Sequence, residues 1–133
     1  MESLKELYKV DEKLSIEGAP ITIGINTKDE PIIMYVAEAG NPTHKKVQRK
    51  YDRALETARN NPKRRRDLMA KIVATSILTG WSGVLDSKGK EIPYTIENGI
   101  EALLKYDKLN IEIMDAATDI ENYRPEEENT EKN

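Results

Sequence analysis

His44 is the only imidazole in the chain, and there is no cysteine. A nucleophile needs a base beside it, and protein metal centres draw on His, Cys and carboxylates in defined sets. One histidine excludes a multi-histidine metal site and an imidazole acid–base pair. The absence of cysteine excludes a disulfide framework, a thiolate site and a thiol nucleophile. His44 opens a basic helical stretch, and its expected place is a solvent-exposed helix terminus. Asp115 and Asp119, at i and i+4, share a helix face with Glu112, but no second cluster or Gly-rich loop accompanies them. Solvated surface is the reading for these carboxylates, not general acid–base work. Gly80-Trp81-Ser82-Gly83 comes near a nucleophile elbow, yet lacks its Gly-x-Ser-x-Gly spacing and a histidine partner. Gly80, Gly83 and Gly89 form no phosphate-binding fingerprint. These residues point away from an enzyme and call for no cofactor and no metal.

The strongest remaining chemical signal is charge. Residues 44–71 carry 11 bases and 3 acids, and include Lys63-Arg64-Arg65-Arg66 and the bases Lys45, Lys46, Arg49, Lys50, Arg53 and Arg59. Residues 1–43 and 97–133 are acidic, with 8 acids against 4 bases and 11 against 4, so the chain nets −3. Such blocks either face each other or steer a charged partner. A small nucleic-acid-binding regulator using the basic block 44–71 is the alternative this pattern raises. Against it stand the acidic whole, the missing aromatic stacking platform, and the geometry of four consecutive bases, which spread around a helix. Trp81 is the only tryptophan and there is no phenylalanine. In its Gly-flanked loop it is either a core anchor, the expected role, or a partner hot spot.

The elements that must position these residues follow from periodicity. Residues 2–8 form at most a short amphipathic helix. Leu14 and Ile16 alternate, then Gly18-Ala19-Pro20 turns, Ile21, Ile23 and Ile25 alternate, and Ile32 to Val36 is β-prone. Period-2 patterning predicts a small antiparallel meander over 13–38, which must pack on something to be stable. After Gly40-Asn41-Pro42, Thr43 is the expected cap of a helix whose stripe is Val47, Tyr51, Ala54, Leu55 and Ala58. Asn61 caps a second helix over about 63–79, with Leu68, Met69, Ile72, Val73, Ser76 and Ile77 inward and Gly80 as its stop. Asp86 to Gly89 makes a tight turn. Thr95 caps a third helix, and a fourth runs over about 109–123. Met34, Met69 and Met114 are expected to fill core or supply soft contacts. The tail from Glu126 has no apolar residue and is expected to be disordered.

The resulting organisation is one folded domain of class α+β. A β-rich region spans 1–40 and packs on a bundle of about four helices. A helical region spans 41–123 and contains the Gly-Trp loop, and an acidic tail spans 124–133. The N-terminus lacks the basic start and apolar core of a secretory signal, and no apolar run approaches a membrane span, so a soluble protein with no membrane partner is expected.

The stretch from Ala74 to Asn98 resembles the tail assembly chaperones of long-tailed phages. In that family a helix leads to Gly-Trp and a small residue, then Gly-Val, an Asp…Gly turn, Ile/Leu-Pro-aromatic, and a Ser/Thr-capped helix bearing Glu-Asn and later Leu-Leu. Here those positions are Gly80, Trp81, Gly83, Val84, Asp86, Gly89, Ile92, Pro93, Tyr94, Thr95, Glu97, Asn98, Leu103 and Leu104. The likeness covers roughly residues 70–124 and is looser over 44–60. It implies a chaperone that binds the tape-measure protein, helps recruit tail tube subunits, and is absent from the finished virion. It also implies the cytoplasm of the bacterial host as location, possible homo-oligomers, and in many cases a longer frameshifted form. Gly80, Trp81, Gly83, Val84, Asp86, Gly89, Pro93 and Tyr94 become the candidate partner-binding set. A structural tail or connector subunit is the other alternative within virion assembly.

Overall fold

Capping chemistry sets most element boundaries in the computed structural model, which describes residues 1–125. Two short helices come first, α1 (Glu2–Leu7) and α2 (Glu12–Glu17). The Asp11 side chain starts α2 by accepting from the Lys13 and Leu14 N–H groups at 2.9 and 3.2 Å. Strands β1 (Ala19–Ile25) and β2 (Pro31–Val36) follow. Asn41 then accepts from the His44 N–H at 3.0 Å, with Pro42 in the first turn of α3 (Pro42–Thr57). Asn61 and Pro62 repeat this device at α4 (Pro62–Ser76), where Arg64 N–H donates at 3.1 Å. Proline suits the first helical position because its missing N–H would have no partner there.

Strand β3 (Leu78–Ser82) leaves α4 almost at once. Thr95 caps α5 (Ile96–Lys105) through the Asn98 N–H at 3.0 Å. Helix α6 (Asp107–Ala117) and a 3₁₀ turn (Ile120–Tyr123) complete the described chain. The sheet is antiparallel in the order β1-β2-β3, with Met34 of β2 flanked by Ile21 on one side and Trp81 on the other. α4 packs between the sheet end and α5, and also against α3.

The core lies between the sheet and α4, α5 and α6. Met34, Val36, Val73, Ala74, Ile77, Leu78, Leu103, Ile113 and Ala117 form one buried cluster. Burial of such side chains is the main stabilising term. Tyr123 closes one end of the fold. It is wholly buried, its hydroxyl donates to the Val36 carbonyl at 2.8 Å, and its own carbonyl accepts from the Asp11 N–H at 2.7 Å. Burial raises its phenol above the ordinary range.

The class is the expected α+β, but several elements differ from expectation. Residues 12–17 are helical and not a strand, because the Asp11 cap satisfies the backbone that a period-2 reading of Leu14 and Ile16 assigns to a ladder. The third strand is not N-terminal. It is Leu78–Ser82, taken from the end of the expected second helix and the start of the expected Gly-Trp loop, because the free edge of β2 needs partners. Asn41, not Thr43, caps α3. The last helix breaks after Ala117, where Thr118 closes it. His44 is buried, not solvent-exposed: its Nδ1 accepts from the Gly40 N–H at 2.9 Å. Met69 is exposed, while Met34 is buried and Met114 half-buried. Arg124 is tied down, with its guanidinium donating to the Leu7 carbonyl and pairing with Glu121. The expected disorder of Glu126 to Asn133 lies outside the described residues.

Candidate functional site

Trp81 sits in β3, half-buried against the core. Its indole N–H donates to the Ile92 carbonyl at 2.8 Å, which ties the strand to the far arm of the loop that follows. Its ring meets Tyr94 edge-on. The Tyr94 hydroxyl lies 2.6 Å from the Ala74 carbonyl and 2.9 Å from the Leu78 carbonyl, spanning the end of α4 and the start of β3. Burial, and then the Glu97 carboxylate, push this phenol up to about 12, so it remains a donor at physiological pH.

The loop between Trp81 and Tyr94 is built by local hydrogen bonding. Gly83 has φ +78, and a Cβ there would collide with the Pro31 carbonyl. Its N–H donates to Glu91 Oε1 at 3.2 Å, and its carbonyl accepts from Asn26 Nδ2 at 2.9 Å. Asp86 Oδ1 accepts from the Lys88 and Lys90 N–H groups at 2.8 and 2.9 Å. Gly89, at φ +80, lets the turn close, and Leu85 pairs with Glu91 across it.

This loop forms one wall of an open groove of about 420 Å³. Ile23, Ile32 and Met34 of the sheet line it, with Trp81, Val84 and Leu85 on the loop side and Ala102, Tyr106 and Leu109 from α5, the α5–α6 junction and α6. Its polar lining residues are Asn26, Thr27 and Asp86. A second depression of about 230 Å³ shares Trp81, Val84, Leu85, Ala102 and Tyr106 with it and adds Ile92, Asn98, Glu101 and Lys105. Tyr106 and Ile25, at 54% and 69% exposed, leave apolar surface open to a partner. The side chains lining the groove are mainly apolar, and Thr27 and Tyr106 carry its hydroxyls.

The structure thus brings Trp81, Gly83, Val84 and Asp86 to the groove, with Gly80 beside Tyr35 in the sheet and Tyr94 behind Trp81. Gly89 serves the turn, and Pro93 is exposed, its carbonyl accepting from Asn98 Nδ2 at 2.9 Å. Lys63, Arg64, Arg65 and Arg66 are exposed in the first turns of α4 and line none of the groove. Arg66 instead pairs with Asp107 and donates to the Leu104 carbonyl at 2.7 Å.

Sequence reading missed Ile23, Ala102, Tyr106 and Gly99. The alternation of Ile21, Ile23 and Ile25 was the available signal for the sheet side. Gly99 carried none. It is buried inside α5, where a Cβ would lie 2.7 Å from the Tyr94 hydroxyl oxygen. Among the described residues, no three potential metal ligands of the His, Cys, Asp and Glu types come together. Among the same residues, no helix is long and apolar enough to cross a membrane.

A family model described as YdaY prophage protein matches residues 37–133. No curated protein and no solved structure matches the chain. The match extends over well more than half of the sequence, and the chain belongs to this prophage protein family.

Proposed function

We propose that this prophage protein is a tail assembly chaperone, a non-enzymatic protein that holds an apolar helical segment of the tape-measure protein and helps bring tail tube subunits to it. The observation that carries the reading is the open apolar groove walled by the Gly-Trp loop. The loop residues that carry the resemblance to tail assembly chaperones, Trp81, Gly83, Val84 and Asp86, are the ones that build its wall. An amphipathic client helix would lay its apolar face into such a groove, with anchors at i, i+3, i+4 and i+7. Tyr106 and Trp81 are the aromatic side chains there, the type that dominates binding energy at interfaces.

The test is co-expression of this chain with the tape-measure protein of the same prophage. The client becomes soluble and co-purifies with the chain if the reading holds. A client that stays insoluble and unbound overturns it.

A further inference from the structure

The basic block does not act as one patch. On α3, Lys46, Arg49, Lys50 and Arg53 fall at i, i+3, i+4 and i+7, which places them on one helix face. All four are exposed. The ion pairs among the described residues engage Arg59, Arg66 and Arg124, and none of these four. Lys50 does lie over the Tyr51 ring, at 5.6 Å. The stripe ends in an open notch of about 530 Å³ that Lys50, Arg53, Thr57, Asn61 and Arg64 help to line, with no carboxylate among its lining residues. The notch adjoins the start of α4, whose N–H groups add positive potential. Asp52 flanks the stripe, and Glu56 is held by Arg59.

We infer that this α3 face, with Arg64 of α4, is a binding site for the phosphate backbone of duplex DNA. Three observations select this occupant. First, the large exposed apolar side chains lie elsewhere, on residues such as Met69, Tyr106 and Ile111, and α3 contributes none. The aromatic anchors common at protein interfaces are missing from this face, whereas phosphate contacts gain their energy from released counterions without them. Second, the one aromatic of α3, Tyr51, is half-buried, so no platform exists for stacking unpaired bases. Third, the cations line up along a regular helix. The argument against nucleic acid, that consecutive bases scatter around a helix, applies to Lys63–Arg66 but not to this stripe. Contacts to phosphates carry no sequence information directly, so binding through this face is expected to be largely independent of sequence.

The experiment titrates a short fluorescent DNA duplex of mixed sequence with the full chain across a salt series. Five cations on five phosphates predict a log–log salt slope of about −4 to −5. Reversing Lys46, Arg49, Lys50 and Arg53 to Glu is expected to weaken binding by about two orders of magnitude or more at low salt, with the thermal melt retained because all four are exposed. Arg53→Gln alone should lower the slope by about 1, and serves if the fourfold variant fails to fold. No binding at low salt, binding indifferent to these variants, or poly-glutamate competing as well as DNA would each overturn the proposal. The last outcome would assign the face to an acidic polypeptide.

Discussion

The Trp81 and Tyr94 rings meet edge to face, with centroids 5.0 Å apart and planes at 85°. Each is also held by a hydrogen bond to a backbone carbonyl, Trp81 to Ile92 and Tyr94 to Ala74 and Leu78. The pair is therefore both a structural clamp and, on the outer face of Trp81, part of the groove.

Trp81→Ala removes the clamp, the indole hydrogen bond and part of the groove wall. Full burial would cost about 3–5 kcal/mol, and the half-burial of Trp81 sets the expected loss near the bottom of that range. Trp81→Phe keeps an aromatic edge and loses mainly the bond to Ile92, about 0.5–1.5 kcal/mol. Urea unfolding of both variants measures this. An unaltered melt for Trp81→Ala with lost client binding would make Trp81 an interface residue and not a core anchor.

Gly99→Ala pits two effects against each other. Alanine in a helix interior gains about 1 kcal/mol over glycine. The added methyl would press on a Tyr94 ring that is fixed by Trp81 and two carbonyls, with Cε1 only 2.9 Å from the new Cβ. Anchoring makes the ring unable to yield cheaply, and a net loss of about 1–3 kcal/mol is expected, the usual range for overpacking. In a Tyr94→Ala background the sign should reverse, a coupling that a double-mutant cycle reads directly.

Alkaline stability should fall between pH 10 and about 12. The Tyr94 phenol is raised from 10.0 to about 12 in the fold, so its contribution is complete below 10 and is lost as pH climbs through the folded value. Tyr123 is raised as well and adds to the same loss. Tyr94→Phe should be less stable at neutral pH and show a shallower alkaline decline in denaturant titrations run from pH 8 upward.

His44 acts at the other end of the scale. Burial lowers its pKa from 6.5, and its Nδ1 must stay unprotonated to accept from Gly40. A lowered pKa means that its contribution is present above 6.5 and is lost as pH falls below it. His44→Gln should flatten the pH dependence of unfolding between neutrality and pH 5, and an unchanged profile would refute the assignment.

Tyr106→Lys and Ile25→Lys place charge in and beside the groove at positions already largely in solvent. Stability should shift by no more than about 0.5 kcal/mol, as is usual for surface changes. Tape-measure solubilisation in co-expression should be lost. Wild-type solubilisation by both variants would move the client site elsewhere.

Sequence alone determined the features closed by local chemistry. The Asn61 and Thr95 caps, the Asp86–Gly89 turn, the stripe of α3 and the paired strands around Ile21 and Met34 each rest on contacts a few residues apart or on a simple period. Tertiary structure decided the rest. Leu78–Ser82 became a strand because β2 offered unpaired backbone groups, a demand no local window contains. His44 went inside because Gly40 and Asn41, at the junction of sheet and helices, needed its ring and its N–H. Gly99 was required by a tyrosine held at the far side of the Trp81 clamp. The groove itself joins β1, β2, the Gly-Trp loop and the α5–α6 junction, segments distant in the chain. A composite surface of that kind depends on long-range packing, so its members carry no common signature in the sequence.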